Sequence, residues 1–188
     1  MRKLFMYSFI VCAVSFTACR FRLPAHEKII RSEQMGLWYE ITYVDTAGRS
    51  LQLFADTIVN HFQQTFSEEN NNSAINLFNA SEDFLILSSI EKSFFADILS
   101  KIEKDTNSIN PPDDFSQVSD ILRTMYLRND TLFKTDPAFQ FNFSSMADNY
   151  LCDTLAGILE FYGVDDYLIK IHDVKRIKGK NFRGEEWE

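Results

Sequence analysis

Apolar residues follow two different periods along this chain, and each period predicts a different kind of element. Segment 36–44 is rich in β-branched and aromatic residues, which favour the pleated surface of a β-strand. Alternate apolar positions would line one face of it: Leu37, Tyr39, Ile41 and Tyr43. From 49 to 66 the apolar residues instead recur every three or four positions, which predicts an amphipathic helix after a turn at 45–48.

Three more helices are predicted from apolar spacing and from signals at helix ends. Ser88 and Glu91 have the spacing of a capping box, and Ser145 and Asp148 have the same spacing at the start of the last predicted helix. Gly163 stands where a glycine commonly ends a helix in the left-handed conformation. The predicted helices cover residues 88–104, 113–125 and 145–162.

The remaining apolar segments are short and favour strands. Residues 138–143 and 167–174 alternate between apolar and polar positions, which predicts two further strands. Segment 84–87 is either a brief buried strand or the entry to the next helix. Strands and helices mixed in this order predict a single α+β domain, with a small antiparallel sheet packed with three or four amphipathic helices.

The N-terminus has the layout of an export signal. Arg2 and Lys3 precede an apolar run at 4–14 that is too short to cross a bilayer permanently. Small residues then come just before Cys19, and segment 16–19 resembles the lipobox of bacterial lipoproteins, with Phe16 where leucine is usual. The resemblance implies cleavage before Cys19 and attachment of lipid to its thiol.

This signal sets the predicted division of the chain. Residues 1–18 form the signal peptide, 19–33 a lipid-anchored tether, 34–178 the globular domain and 179–188 a charged C-terminal tail. The second mature residue is Arg20, whereas aspartate there is a common signal for inner-membrane retention in the lipoproteins that the chain resembles. The prediction is therefore a lipid-anchored protein of the bacterial envelope, at the outer membrane.

Net charge narrows the choice of partners. Without Arg2 and Lys3 the mature chain carries 17 basic and 27 acidic residues, a net charge of −10. Nucleic acid is excluded as a partner, because binding to phosphates needs clustered lysine and arginine. The predicted partners are the membrane, through lipid on Cys19, and an envelope protein.

Residues that carry chemistry are scattered, and the sequence predicts no catalytic, cofactor-binding or metal-binding residue and no cofactor. His26, His61 and His172 have no other ligand at zinc-like spacing and are interpreted as surface or capping residues. Cys152 is left alone once Cys12 is cleaved and Cys19 is lipidated, and its helical position predicts a buried, unreactive thiol.

The first strand also carries a local resemblance. Segment 36–41 (GLWYEI) resembles the Gly-x-Trp-Tyr-Glu-Ile opening of the lipocalin family, in which the tryptophan closes the floor of the barrel. The resemblance implies a ligand-related role for Trp38 and an eight-stranded calyx. Packing of Trp38 in an ordinary core is the alternative.

Three functions remain open from the sequence. The preferred hypothesis is a non-enzymatic accessory or interaction domain anchored at the envelope, because the chain forms a core yet has no catalytic motif. The alternative is a lipocalin-like carrier of a small apolar ligand. A hydrolase whose site is assembled from dispersed residues is the third, since catalytic groups are recognised by geometry.

Overall fold

Seven strands and four helices make up the part of the chain that the computed structural model describes, residues 26–106 and 121–188. In chain order they are β1 (His26–Gln34), β2 (Leu37–Asp45), α1 (Gln52–Phe66), α2 (Ala74–Ala80), β3 (Phe84–Ile86), α3 (Ser89–Thr106), β4 (Met125–Arg128), β5 (Thr131–Lys134), α4 (Ser144–Phe161), β6 (Asp166–Ile171) and β7 (Val174–Lys178). Residues 121–124 are also helical.

The strands form two antiparallel sheets. The larger has the order β1-β2-β6-β7 and the smaller the order β3-β5-β4. In the larger sheet the β1–β2 turn (35–36) and the β6–β7 turn (172–173) lie at the same end, because Tyr39 pairs with Ile171. We call this the turn end. The opposite end, where His26 pairs with Asp45, is the base end.

Helices α1 and α4 pack on the inner face of the larger sheet. Alternate residues of β2 and β6 point inward and are buried, as the alternation at 36–44 predicts: Leu37, Tyr39, Ile41, Tyr43, Tyr167, Ile169 and Ile171. α1 runs from the base end to the turn end and α4 runs back. Aromatic rings fill the space between the helices, and Phe66 lies 4.6 Å from Phe143 between ring centroids. Stacked apolar rings supply much of such a core.

The base end is held by an ion pair between the buried carboxylate of Asp45 and the exposed guanidinium of Arg49. Asp45 accepts hydrogen bonds from the backbone N–H and the guanidinium of Arg49, with an Nη2–Oδ1 distance of 2.8 Å. Arg49 Nη2 also donates to the carbonyl of Tyr162 at 2.7 Å, which ties the end of α4 to the start of α1.

These elements confirm the predicted α+β single domain and several of its details. The backbone N–H of Ser88 donates to Glu91 Oε2 at 2.7 Å, and the N–H of Glu91 donates to Ser88 Oγ at 3.3 Å, as in a capping box. Gly163 has a φ of 74° at the end of α4, as predicted. Segment 84–86 is a strand, although two of its three side chains are exposed.

Other local predictions are wrong. Residues 138–143 are not a strand: the side chain of Asn79 pairs with both backbone groups of Phe141 and takes the place of a neighbouring strand. α4 begins at Ser144, so Ser145 lies inside the helix and not at the N-cap position that the second predicted capping box requires. Segment 167–174 is a hairpin, with its turn at 172–173.

Boundaries of the predicted tether and tail also change. The tether was predicted over 19–33, but His26–Glu33 belongs to β1 and pairs along its length with β2. The predicted tail lies against the outer face of the larger sheet, where Trp187 Nε1 donates to the carbonyl of Lys178 at 3.0 Å. The signal peptide, Cys19 and most of the helix predicted at 113–125 lie outside the described residues.

Candidate functional site

A cleft at the turn end combines an apolar floor with titratable side chains. Its volume is about 350 Å³, at the lower end of the range of about 300–1,000 Å³ that is usual for ligand pockets. Both hairpin turns, the end of α1 and the start of α4 form its walls. The lining residues that matter are Met35, Leu37, Phe62, Gln63, Phe66, Ser67, Glu68, Glu69, Ser144, Asp148 and His172. We call it the turn-end cleft.

Two tight turns bring side chains to its rim. A two-residue hairpin needs a positive φ, and Met35, Gly36 and His172 have φ values of 50°, 84° and 46°. Glycine adopts this conformation freely, whereas Met35 and His172 adopt it with a side chain present. Backbone conformations of this kind are enriched at functional sites, which makes the cleft a candidate for one.

Asp148 and His172 form a dyad across the cleft. Nδ1 of His172 lies 2.9 Å from Oδ2 of Asp148. An ionised carboxylate accepts and cannot donate, so it favours the tautomer of the neutral ring that carries its proton on Nδ1, and in that tautomer the lone pair is on Nε2. The ring is exposed, and the carboxylate holds it in one orientation. Such a pair can accept a proton from a bound nucleophile.

The rest of the lining favours a ligand that has an apolar surface and carries no negative charge inside the cleft. Leu37, Phe62 and Phe66 are buried beneath the cleft and give it an apolar floor. Amide and hydroxyl groups on Gln63, Ser67 and Ser144 offer hydrogen bonds around that floor. Glu68, Glu69 and Asp148 add negative charge, and the lining contains no lysine or arginine. A phosphate group is therefore disfavoured inside the cleft.

Residues 26–106 and 121–188 show neither a candidate metal cluster nor a membrane-spanning helix. These residues contain no group of three or more His, Cys, Asp or Glu side chains placed to hold a metal ion. None of the helices within those ranges combines the length and the apolar character that crossing a membrane requires.

Trp38 does not take the place that the sequence predicts. It is 43% exposed on the outer face of the larger sheet, opposite Glu33, and does not pack in the core. It closes no barrel floor, because the described strands form two separate sheets. Trp38 is also absent from the lining of the turn-end cleft.

Cys152 is buried, as predicted, and this burial is the main cause of the raised pKa of its thiol. Burial raises the pKa of the Cys152 thiol to about 12; Arg176 lowers this pKa, and Asp148 and Asp153 raise it. Arg176 belongs to β7, which the sequence does not predict as a separate strand, so its closeness to Cys152 was not expected. A thiol with so high a pKa carries almost no thiolate at neutral pH and is therefore a poor nucleophile.

Sequence reasoning missed the dyad. Asp148 and His172 are 24 residues apart, and each taken alone is an ordinary surface residue. The available signal was the His172–Asp173 pair between two short alternating segments, which fits a hairpin turn. That turn would have placed His172 at the end of the sheet.

Comparison with known proteins gives a fold but no family assignment. No protein-family profile matches the chain, and no curated protein matches it. Among solved structures, the flavin transferase ApbE of Vibrio cholerae superposes with a TM-score of 0.60 at 21% identity, over 87% of this chain and 63% of that one. The flavinyl transferase ApbE of Pseudomonas stutzeri, in its apo form, gives 0.66 at 19% identity, over 87% and 62%.

A third solved structure agrees with these two. The apbe protein of Thermotoga maritima gives a TM-score of 0.56 at 12% identity, covering 84% of this chain and 60% of that one. The chain thus has the fold of these proteins and spans less than two thirds of their length. Two expectations from the sequence are thereby wrong, a non-enzymatic accessory domain and a lipocalin-like carrier, because the solved structures that share this fold are named as flavin transferases.

Proposed function

We propose that this protein is a flavin transferase and that the turn-end cleft binds the flavin ring. The shared fold is one support, since proteins with this fold are named as flavin transferases. The observation that carries the proposal is the dyad of Asp148 and His172 in the wall of a cleft of about 350 Å³ that has an apolar floor.

The chemistry of the lining fits this ligand. A flavin ring system is flat, apolar along one edge and rich in carbonyl and N–H groups along the other. Leu37, Phe62 and Phe66 suit the apolar edge, and Gln63 and Ser67 suit the polar edge. Because the cleft is acidic, the phosphates of a flavin nucleotide would lie outside its floor, at the rim beside the exposed ring of His172.

The dyad has a defined part in the transfer. His172 Nε2 accepts the proton of an acceptor hydroxyl as the oxygen of that hydroxyl bonds to the phosphorus nearest the flavin in a flavin dinucleotide. The pyrophosphate bond of that dinucleotide breaks, and the departing phosphate takes the electron pair. Asp148 stabilises the imidazolium that results. General base catalysis of this kind contributes about 10²–10⁴-fold.

Location and partner complete the proposal. We propose that Cys19 carries lipid and holds the protein at the bacterial envelope, at the outer membrane. The support is the lipobox-like segment 16–19 and Arg20. The envelope protein partner predicted from the sequence would then supply the acceptor hydroxyl.

Variants of the cleft separate binding from transfer. We expect the purified full chain to quench the fluorescence of riboflavin and of FAD saturably. Ala147→Trp fills the cleft from α4 and should abolish this quenching, whereas His172→Ala should leave it within about twofold. His26→Ala, an exposed histidine at the base end, is the matched control.

Transfer is measured in cells, as flavin fluorescence of envelope proteins in a denaturing gel. We expect a fluorescent acceptor band with wild type and with His26→Ala. His172→Ala should reduce the band by about 10²-fold or more. Saturable quenching that survives Ala147→Trp, or full labelling by His172→Ala, would show that the cleft or the dyad is wrongly assigned.

A further inference from the structure

An apolar patch lies at the base end, far from the turn-end cleft. The first turns of α1 and the last turns of α4 enclose a groove of about 410 Å³ there. Leu53 is 74% exposed and Phe161 is 83% exposed, values unusual for large apolar side chains. We call Leu53, Phe54, Ile158, Phe161 and Tyr162 the base patch. Contiguous exposed apolar surface of this kind marks an interaction site.

The patch is an ordered part of the fold. Phe54 and Tyr162 lie 4.9 Å apart between ring centroids, and Phe161 and Tyr162 lie 5.3 Å apart. Arg49 holds the carbonyl of Tyr162. Gly157 lines the groove, and a Cβ there would meet no atom within 4 Å, so the groove is open.

The chain enters the domain beside this patch. The imidazole of His26, the first described residue, lies 3.4 Å from the position of a Cβ on Gly48, next to Arg49. Cys19 is seven residues before His26. Seven residues span at most about 25 Å, so lipid on Cys19 would keep the base end within that distance of a bilayer.

From these observations we infer that the base patch docks on the lipid bilayer. The inference rests on the proposed lipid on Cys19. Leucine and aromatic side chains are the types that enter the boundary between headgroups and acyl chains. The charge of the nearby Arg49 is already balanced by Asp45. The contact between the base patch and the bilayer would therefore be apolar, and not an attraction of basic side chains to anionic lipid.

This orientation has a consequence for the turn-end cleft. α4 has 18 residues, begins beside the cleft and ends at the base patch. At 1.5 Å per residue, it separates the two by about 27 Å. Docking therefore holds the cleft away from the lipid and open to a partner in the aqueous compartment.

The test measures the polarity around single positions of the lipid-anchored full chain. A fluorophore sensitive to polarity is attached to Leu53→Cys, to Phe161→Cys or to the matched control Glu33→Cys, which is exposed at the turn end. Cys152 is buried, so we expect it not to react with the fluorophore under native conditions. The proteins are reconstituted into vesicles of phosphatidylethanolamine and phosphatidylglycerol, with and without nitroxide-labelled lipid.

We expect blue-shifted emission and quenching by the nitroxide lipid at positions 53 and 161, and water-like emission at 33. Water-like emission at 53 and 161 in vesicles that carry the protein would overturn the docking. A blue shift that grows with protein concentration in the absence of vesicles would also overturn the docking, because it would mean that the base patch binds a second copy of the chain. Failure to float with vesicles would overturn both the docking and the anchor, while leaving flavin binding as a separate result.

Discussion

The ion pair of Asp45 with Arg49 at the base end combines a buried carboxylate with a guanidinium. Asp45 is 3% exposed, and hydrogen bonds from the Arg49 guanidinium lower its pKa to about 2. An unfolded aspartate has a pKa of about 3.9, so the folded state favours the charged carboxylate. The stabilisation is fully present above pH 4 and is lost as pH falls from about 4 to about 2.

We therefore predict that Asp45→Asn removes this part of the acid sensitivity. From the pKa difference, the ionised carboxylate contributes about 2 kcal/mol at pH 7, and the variant should lose about that much free energy of unfolding. Below pH 2 the difference between the two proteins should shrink. Urea unfolding at several pH values measures it, with Asp83→Asn, at an exposed position, as the control. An unchanged difference at pH 2 would contradict the assignment.

Cys152 should be inert in the native protein. Its thiol is buried in α4 and its pKa is raised to about 12, so little thiolate is present at neutral pH. We expect maleimide to label it only after denaturation. Phe161→Cys, on the same helix and exposed, should add one rapidly labelled thiol. Rapid labelling of the wild-type thiol without denaturant would mean that Cys152 is accessible.

The alternation of residues along β2 is enough to predict which face of the sheet carries Trp38. Leu37, Tyr39 and Ile41 occupy alternate positions and were predicted to share one face, and they do point inward. Trp38 lies between two of them, so the same alternation places it on the outer face. Neither hypothesis for Trp38, closure of a barrel floor or packing in a core, took this alternation into account.

At the scale of elements, long periodic segments were predictable and short ones were not. α1, α3 and α4 have 15 to 18 residues, enough to repeat an apolar stripe several times. β4 and β5 have four residues each, too few for a period to show. The segment at 138–143 alternates as a strand would, but the Asn79 side chain satisfies its backbone in place of a partner strand.

The capping box of α3 is the clearest local signal that the structure confirms. Ser88→Ala removes the acceptor for the Glu91 N–H and should lower the free energy of unfolding by about 1 kcal/mol. Ser93→Ala, at an exposed position inside the same helix, should be neutral or slightly stabilising. Chemical denaturation measures both. Equal effects of the two substitutions would mean that the cap contributes nothing.

At the scale of the whole molecule, the fold class was predictable because strand-like and helix-like apolar spacings alternate along the chain. The position of the candidate site was not predictable. The turn-end cleft is built from four separated segments: two turns, one helix end and one helix start. Only the pairing of strands brings the turns together, and no local pattern in the sequence contains that pairing. The absence of a catalytic motif therefore did not imply the absence of a candidate site.

The anchor is a property of the whole chain. We predict that Cys19→Ser prevents incorporation of a palmitate analogue and releases the protein from membranes, because Cys19 is the proposed site of lipid. Cys152→Ser should incorporate the analogue as the wild type does. Metabolic labelling measures both, and equal labelling of Cys19→Ser and wild type would remove the lipoprotein assignment.

Hydrogen exchange of the full chain with and without riboflavin tests the central claim most directly. The flavin should slow exchange of backbone amides around the turn-end cleft, at 35–37, 66–69, 144–148 and 172, because the ring would cover these segments. Amides of the groove at the base patch should be unchanged. Protection confined to the base end, or no protection at saturating riboflavin, would contradict a flavin site in the turn-end cleft.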